Sequence, residues 1–331
     1  MANKGTPKGE GDEAHEPPLI SAAVPAVEAP ASHEGVESAA ASGLNVETRS
    51  QWRLVTRRFL RHRLAMIALA ILVFVILLSL VGGRVWHYHY DDLSVDFSSG
   101  PSLHHPMGTD GIGHDTFAQV LRGAQKSVQI MLLVALFSTT IGVTIGAIAG
   151  FYGGLVDAVL MRFIDLLLTI PTLAVLAVLA NKVRQSGSWF GIALIIALLV
   201  WTSIARVVRA EILSLREKEF VEAARAAGAS DRRIIFRHLL PNVVGSIIVS
   251  ATLTMAAAIL IETTLSYLGL GIKVPDTSLG LLVSDGQTAA ETRPWLFYFP
   301  GLFIIVIVLC VNFIGDGLRD AFDPKQNRVR A

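Results

Sequence analysis

The sequence holds one cysteine, Cys310, in 331 residues, which excludes an intrachain disulfide and any cysteine-built metal or iron–sulfur site. Charge is scarce: 17% of residues are charged and the net charge is only +1, so there is no electrostatic basis for capturing nucleic acid. No Gly-x-x-x-x-Gly-Lys-Ser/Thr phosphate loop occurs, so the chain shows no P-loop for ATP. No apolar run follows the start, and the N-terminus does not read as a signal peptide. No cofactor is expected.

Apolar side chains are what the sequence has in excess, at 52% hydrophobic with a mean hydropathy of +0.55. A water-soluble globule cannot hide that fraction, so the composition points to a membrane protein. Residues 1–48 differ: Ala, Pro, Glu, Gly and Ser dominate, with eight acidic residues against Lys4 and Lys8 and no periodic apolar segment. That composition cannot offset the entropy of ordering, which predicts a disordered tail ahead of a membrane domain over 49–331.

Six apolar segments follow, at 64–81, 128–150, 155–180, 188–205, 243–261 and 295–314. Each is close to the ~20 helical residues that cross ~30 Å of hydrocarbon, and unbroken apolar runs in lipid must be helices. The expected fold is therefore all-α, a polytopic membrane protein with six transmembrane helices. Pro171 and Pro300 fall inside spans and predict kinks. With the N-terminus in the cytoplasm, inside segments carry 18 Lys and Arg and outside segments seven, which places both termini inside. The largest soluble pieces are then an external loop, 82–127, and an internal loop, 206–242.

The internal loop is the most informative stretch. Glu222-Ala223-Ala224 lies in a helix-favouring run that Gly228 ends at a C′ position. Ser230 or Asp231 can cap a second short helix, 232–240, which Pro241 closes. The pattern reads as a helix–turn–helix with small residues at the bend, and equally as an amphipathic surface loop.

The segment resembles the EAA loop of ABC importer permeases: Glu-Ala-Ala, three residues, Gly, nine residues, then Ile-x-Leu-Pro. Glu222, Ala223, Ala224, Gly228, Leu240 and Pro241 match, whereas His238 stands where the general form has an aliphatic residue. Arg237-His-Leu-Leu-Pro-Asn242 is similar to the variant of the dipeptide/oligopeptide subfamily. Its C-type permease is further resembled at His105-Pro-Met-Gly-Thr-Asp110 and Gly113-His-Asp115, with His114 in place of the usual Arg. Gly153-Gly154, Asp157, Met161-Arg162, Asp165 and Pro171 resemble its third-span pattern, and Leu265-Ser-Tyr-Leu-Gly-Leu-Gly271 with Asp285-Gly286 its last external loop. Asn312, Gly315-Asp-Gly-Leu-Arg-Asp320 and Asp323-Pro324 resemble its C-terminus. The resemblance implies a type I importer permease in a bacterial inner membrane. Its partners would be a second homologous permease, two ATP-binding subunits that hydrolyse the ATP, and an extracytoplasmic binding protein for di- or oligopeptides. Coupling would fall on Glu222, Ala223, Ala224, Gly228, Leu240 and Pro241.

Other features carry bland readings beside sharp ones. Asp157, Arg162 and Asp165 are costly deep in lipid, so an interfacial i,i+3 pair of Arg162 with Asp165 is favoured over an ion relay. Ser138, Gly142, Gly146 and Gly150 make a small-residue face in the second span that suits close helix packing. Ser246, Ser250, Thr254 and Ala258 form a stripe in the fifth span leading to Glu262, and pore lining and packing fit it equally. Five of nine histidines lie in the first external loop, at 87, 89, 104, 105 and 114. No His-x-x-x-His spacing or carboxylate cluster accompanies them, and ordinary loop histidines are the default, although nickel permeases resemble the same subfamily. Nickel or another small solute is the alternative cargo. An ATP-independent transporter or channel would need no EAA loop, and an intramembrane enzyme would need paired catalytic groups that the spans do not offer.

Overall fold

A computed structural model describes residues 51–184 and 188–322; the sequence expectations for residues 1–48 and for Asp323-Pro324 fall outside that range. Among the described residues there are helices and no strand beyond one isolated bridge, Thr109 to Asp115. Ten elements suffice: α1 (Gln51–Arg61), α2 (Arg63–Val85), α3 (Thr116–Tyr152), α4 (Gly154–Thr169), α5 (Thr172–Arg184), α6 (Trp189–Leu215), α7 (Glu219–Ala226), α8 (Asp231–Tyr267), α9 (Leu279–Gln287) and α10 (Trp295–Phe322). Five of them, α2, α3, α6, α8 and α10, are each long and apolar enough to cross a membrane, and α4 with α5 makes a sixth, bent by 82°.

The bend has a local cause. Pro171 offers no N–H and disfavours helical geometry in the residue before it, and Ile170 is extended at φ −84°, ψ 131°. The expected kink is thus a full break between two helices. Elsewhere the helices overrun the apolar windows. α3 has 37 residues, about 55 Å at 1.5 Å per residue, and projects well beyond the hydrocarbon thickness.

Caps fix where these helices start. The Asp115 carboxylate accepts the Ala118 N–H at 2.7 Å and opens α3, His62 Nδ1 accepts the Ala65 N–H at 3.1 Å and opens α2, and Ser188 does the same for α6. At the far end of α3, the Arg216 guanidinium donates to the Gly150 and Phe151 carbonyls at 3.2 and 3.3 Å, satisfying groups the helix leaves unpaired.

The second-span glycines do pack. A Cβ at Gly142 would stand 2.8 Å from the Trp201 carbonyl oxygen, one at Gly146 2.5 Å from that of Ala205, and one at Gly150 2.9 Å from that of Arg209. Glycine at each fourth position therefore lets α3 and α6 approach backbone to backbone. Lipid-side surfaces are equally plain: Leu64, Ile67, Phe74 and Leu77 on α2 and Leu302, Ile305 and Leu309 on α10 are exposed. That much contiguous apolar surface belongs in a bilayer or against another membrane subunit.

The charged residues of the third segment pair differently from the i,i+3 expectation. Asp165 takes Arg206 at 2.6 Å and Asp157 takes both guanidinium arms of Arg209, each across to α6, while Arg162 is exposed. The cross-helix partners win because Arg206 and Arg209 stand one turn apart on the facing helix. A bidentate arginine fork also holds a carboxylate better than a neighbour on the same helix.

Candidate coupling surface and adjoining cleft

The turn at residues 216–230 is shorter than the predicted loop, because α6 and α8 extend into it from both sides. α7 rests on the bundle through Val221, fully buried among Phe151, Ile212, Ile234, Leu239 and Val243, with Ala224 packed against the same cluster. The opposite face is exposed and carries Glu222 and Ala223, with Phe220 41% exposed beside them. α7 thus has one anchored stripe and one bare face.

Gly228 closes α7 as the sequence predicts. The Ala229 N–H reaches the Ala224 carbonyl at 3.0 Å and the Gly228 N–H reaches Arg225 at 2.9 Å, the paired bonds of a Schellman end. Gly228 sits at φ +76°, in the left-handed region, and a Cβ there would meet nothing within 4 Å. The requirement for glycine is thus the backbone conformation of the turn. Small residues around it keep the surface low.

Beyond the turn, the structure corrects two expectations. Ser230 stands at the N-cap position of α8 without a side-chain cap bond, and Pro241 does not close a short helix. The chain widens into a π-helical stretch, Ile234–Leu239, and runs on to Tyr267. The wider turn removes the conflict: the Leu240 N–H bonds back five residues to Ile235, and the Pro241 ring is absorbed where an α-helical ladder would be broken. Leu240 and Pro241 consequently leave the outer face of the turn and line a cleft.

That cleft, of about 1390 Å³, opens at the basic end between α1, α6, α8 and α10. Ser246 and Ser250 line it together with Val249, Leu253 and Glu211, and the Ser246 hydroxyl donates to the Glu211 carboxylate. The fifth-span stripe therefore divides along its length. Thr254 is half-buried and spends its hydroxyl on the Ser250 carbonyl at 2.8 Å; Ala258 and Glu262 are wholly buried. Leu253 lines the cleft as well, at 51% exposure. The sequence missed Glu211, Arg58 and Arg319 at this cleft. Nothing local marks them, since they come from three helices far apart in the chain.

Glu262 has a structural setting. Ser266 donates to one carboxylate oxygen at 2.7 Å and Ser127 to the other at 3.2 Å, while Ser127 also receives the Leu279 N–H at 3.3 Å. The carboxylate thereby ties α3, α8 and the start of α9 in a buried polar node. Just outside it, Asp276 is held by Arg122 at 2.8 Å and Lys126 at 2.9 Å. Burial alone would raise the Asp276 carboxyl, but the two cations outweigh it and hold it below the ordinary aspartate value.

The loop histidines do not converge. Buried His105 pairs through Nδ1 with Asp115 at 2.7 Å, and the Trp86 indole donates to the other oxygen of that carboxylate at 3.1 Å. The His105…Asp115 motif is thus the scaffold that presents the N-cap of α3. His114, which stands where the subfamily has Arg, pairs with Asp110 at 2.7 Å. His89 pairs with Asp91.

Membrane-spanning helices, an exposed helix–turn at one end and an open cleft beside it define a multi-pass transport permease. The chain belongs to the family of binding-protein-dependent transport system inner membrane components, whose sequence profile matches residues 142–328. The profile of the N-terminal TM domain of oligopeptide transport permease C matches residues 50–106. Among curated proteins, the oligopeptide transport system permease protein OppC of Mycobacterium tuberculosis H37Rv is 44% identical over 287 residues, covering 86% of this chain and 98% of that one. OppC of Haemophilus influenzae is 40% identical, covering 85% and 91%, and OppC of Bacillus subtilis 38%, covering 86% and 93%. Among solved structures, an inward-facing methionine ABC transporter, MetNI, superposes with a TM-score of 0.52 over 62% of this chain and 96% of that one, at 18% identity. The shared fold is that of a type I importer permease.

Proposed function

We propose that this chain is the C-type permease subunit of an ATP-driven importer of di- or oligopeptides, and that it forms half of the translocation pathway with a second, homologous permease. The observation that carries the reading is the α7 turn. It presents Glu222 and Ala223 outward, sits on a buried apolar cluster, and joins α6 to α8, the two helices that line the cleft with Glu211, Ser246 and Ser250. A push on α7 moves pathway walls directly. Two ATPase subunits supply that push, and a peptide-binding protein delivers cargo to the opposite end. The curated relatives named for oligopeptide transport support the cargo class. Both termini lie in the cytoplasm, in keeping with 18 Lys and Arg on that side against seven outside.

The mechanism is alternating access. Hydroxyls at Ser246 and Ser250 offer a passing peptide backbone weak, exchangeable hydrogen bonds, and Leu253 and Val249 supply apolar contact without a deep pocket. Weak, repeated contacts permit release. The test is reconstitution of the four-subunit complex with its binding protein in proteoliposomes. ATP-dependent accumulation of a labelled tripeptide is expected. Uptake of nickel but no peptide would replace the cargo, and peptide uptake without ATP would remove the importer reading.

A further inference from the structure

We infer that the outward face of α1, with the first turn of α2, is a binding strip for anionic phospholipid headgroups. α1 is not a loose extension. Val55 and Phe59 are half-buried, the Phe59 ring lies 3.4 Å from where a Gly317 Cβ would stand, and His62 pairs with Asp320 at 3.5 Å, so the helix is pinned to the end of α10. A single non-helical residue, His62, then separates it from α2, which enters the membrane.

The exposed arc has a definite composition. Arg53, Arg57 and Arg61 recur at every fourth residue and all are exposed, as is Arg63 at the head of α2. Steps of four advance about 6 Å and 40° each, so the three guanidiniums form a gently wrapping line about 12 Å long. None of the four has an ion-pair partner among the described residues, whereas Arg206 and Arg209 on α6 and Arg216 just beyond its end are all paired. On the same arc Leu60 is 57% and Leu64 58% exposed.

Water is a poor environment for those leucines, and hydrocarbon is a poor one for the arginines. The boundary between acyl chains and headgroups suits both: leucines dip inward, and arginine stems lie along the apolar layer with their guanidiniums at phosphate depth. Unpaired guanidiniums in a row also favour a surface carrying net negative charge, because a zwitterionic headgroup returns as much repulsion as attraction. Planar guanidinium forks match phosphate oxygens two at a time. The occupant is accordingly an anionic lipid of the leaflet that α1 faces. This leaflet is cytoplasmic under the topology proposed above, and the strip itself needs only that α1 lie at the interface.

The test uses the purified full-length chain in detergent, titrated with dioleoylphosphatidylglycerol or dioleoylphosphatidylcholine and read by native mass spectrometry. Each arginine near an anionic surface is worth roughly fivefold in affinity at modest salt. The wild type is therefore expected to prefer phosphatidylglycerol at least tenfold, and the preference is expected to weaken as salt rises. Arg53→Gln/Arg57→Gln/Arg61→Gln should bring it near unity, and the matching triple lysine variant should restore most of it. Removing equal charge elsewhere, by Arg232→Gln/Arg233→Gln/Arg237→Gln, should leave it intact. Equal binding of both lipids by the wild type would overturn the proposal, as would an undiminished preference in the triple glutamine variant. An equal loss in the control triple, or displacement of the lipid by glycerol phosphate at lipid-like concentrations, would overturn it too. Lipid preference is read without transport, so failure here leaves the importer reading standing, and the converse holds.

Discussion

Gly146 offers the sharpest test of how the bundle is held. An alanine Cβ there would lie 2.5 Å from the Ala205 carbonyl oxygen and 3.0 Å from Val208 Cβ. The first contact is with backbone, which cannot rotate away, so α3 and α6 must separate by about half an ångström to restore even 3.0 Å. Overpacking of this kind costs about 1–3 kcal/mol. Parting the helices also loosens the close approaches at Gly142 and Gly150 on the same face. Against this, alanine in a helix is better than glycine by about 1 kcal/mol. The two terms leave about 0–2 kcal/mol, and the loosened contacts at Gly142 and Gly150 add to it, so Gly146→Ala is expected to be net destabilising. Gly301 in α10 is the control, because a Cβ there meets nothing within 4 Å. Only the propensity gain remains, and Gly301→Ala should stabilise by about 0.5–1 kcal/mol. The assay is reversible unfolding of the purified chain in mixed micelles by sodium dodecyl sulfate, followed by tryptophan fluorescence. Shifts of the same sign in both variants, or a Gly146→Ala midpoint at or above wild type, would refute the packing argument.

Four further outcomes are expected. Gly228→Trp or Glu222→Lys should insert normally yet abolish ATP-driven peptide uptake in proteoliposomes; wild-type uptake by both would remove α7 from the coupling path. In a background freed of the buried Cys310, cysteines at Ser250 and Leu253 should react with a water-soluble maleimide and one at Ala258 should not, so equal protection at all three would close the cleft. Because Arg122 and Lys126 hold the Asp276 carboxyl below its ordinary value of 3.8, its stabilising contribution is complete above that pH and is lost as pH falls through the depressed value. The gap between the unfolding midpoints of wild type and Asp276→Asn should therefore begin to narrow as pH falls below about 4 and close only below the depressed value, and a gap that does not narrow on acidification would contradict the ion-pair origin. Reporter fusions after Arg63 and Asp323 should report cytoplasm and one near Ser99 the exterior, and a cytoplasmic signal at Ser99 would invert the topology.

Periodicity and composition made the helices legible, because each span must satisfy its own backbone in lipid and so announces itself as an apolar run. The Gly142, Gly146 and Gly150 face was legible for a similar reason: only close approach explains glycine at that spacing. Gly228 was readable because the left-handed turn admits few other residues. What stayed hidden depended on partners distant in sequence. Asp165 could reach Arg162 locally, and nothing in the chain ahead of folding says that Arg206 stands closer. Pro241 reads as a helix stop by every local rule, yet the π-helical stretch before it carries the helix through. The fifth-span hydroxyls looked like one stripe, but α3 and α9 bury its far end at Glu262 while its near end faces a cleft. That division is set by neighbours, and a single helix cannot encode it.

α3 has one more consequence. At one end Arg216, on the approach to α7, clamps its last carbonyls; at the other, Arg122, Lys126 and Ser127 grip Asp276 and the start of α9. The helix that carries both clamps is an uninterrupted rod of about 55 Å, fused to α6 along its glycine seam. Such a rod amplifies. A tilt of about 5° imposed at the α7 end carries its far tip sideways by about 5 Å, enough to drag the Asp276 loop with it. Under the coupling proposed above, the two mouths of the pathway would need no message relayed from residue to residue, because they would be the two ends of one lever.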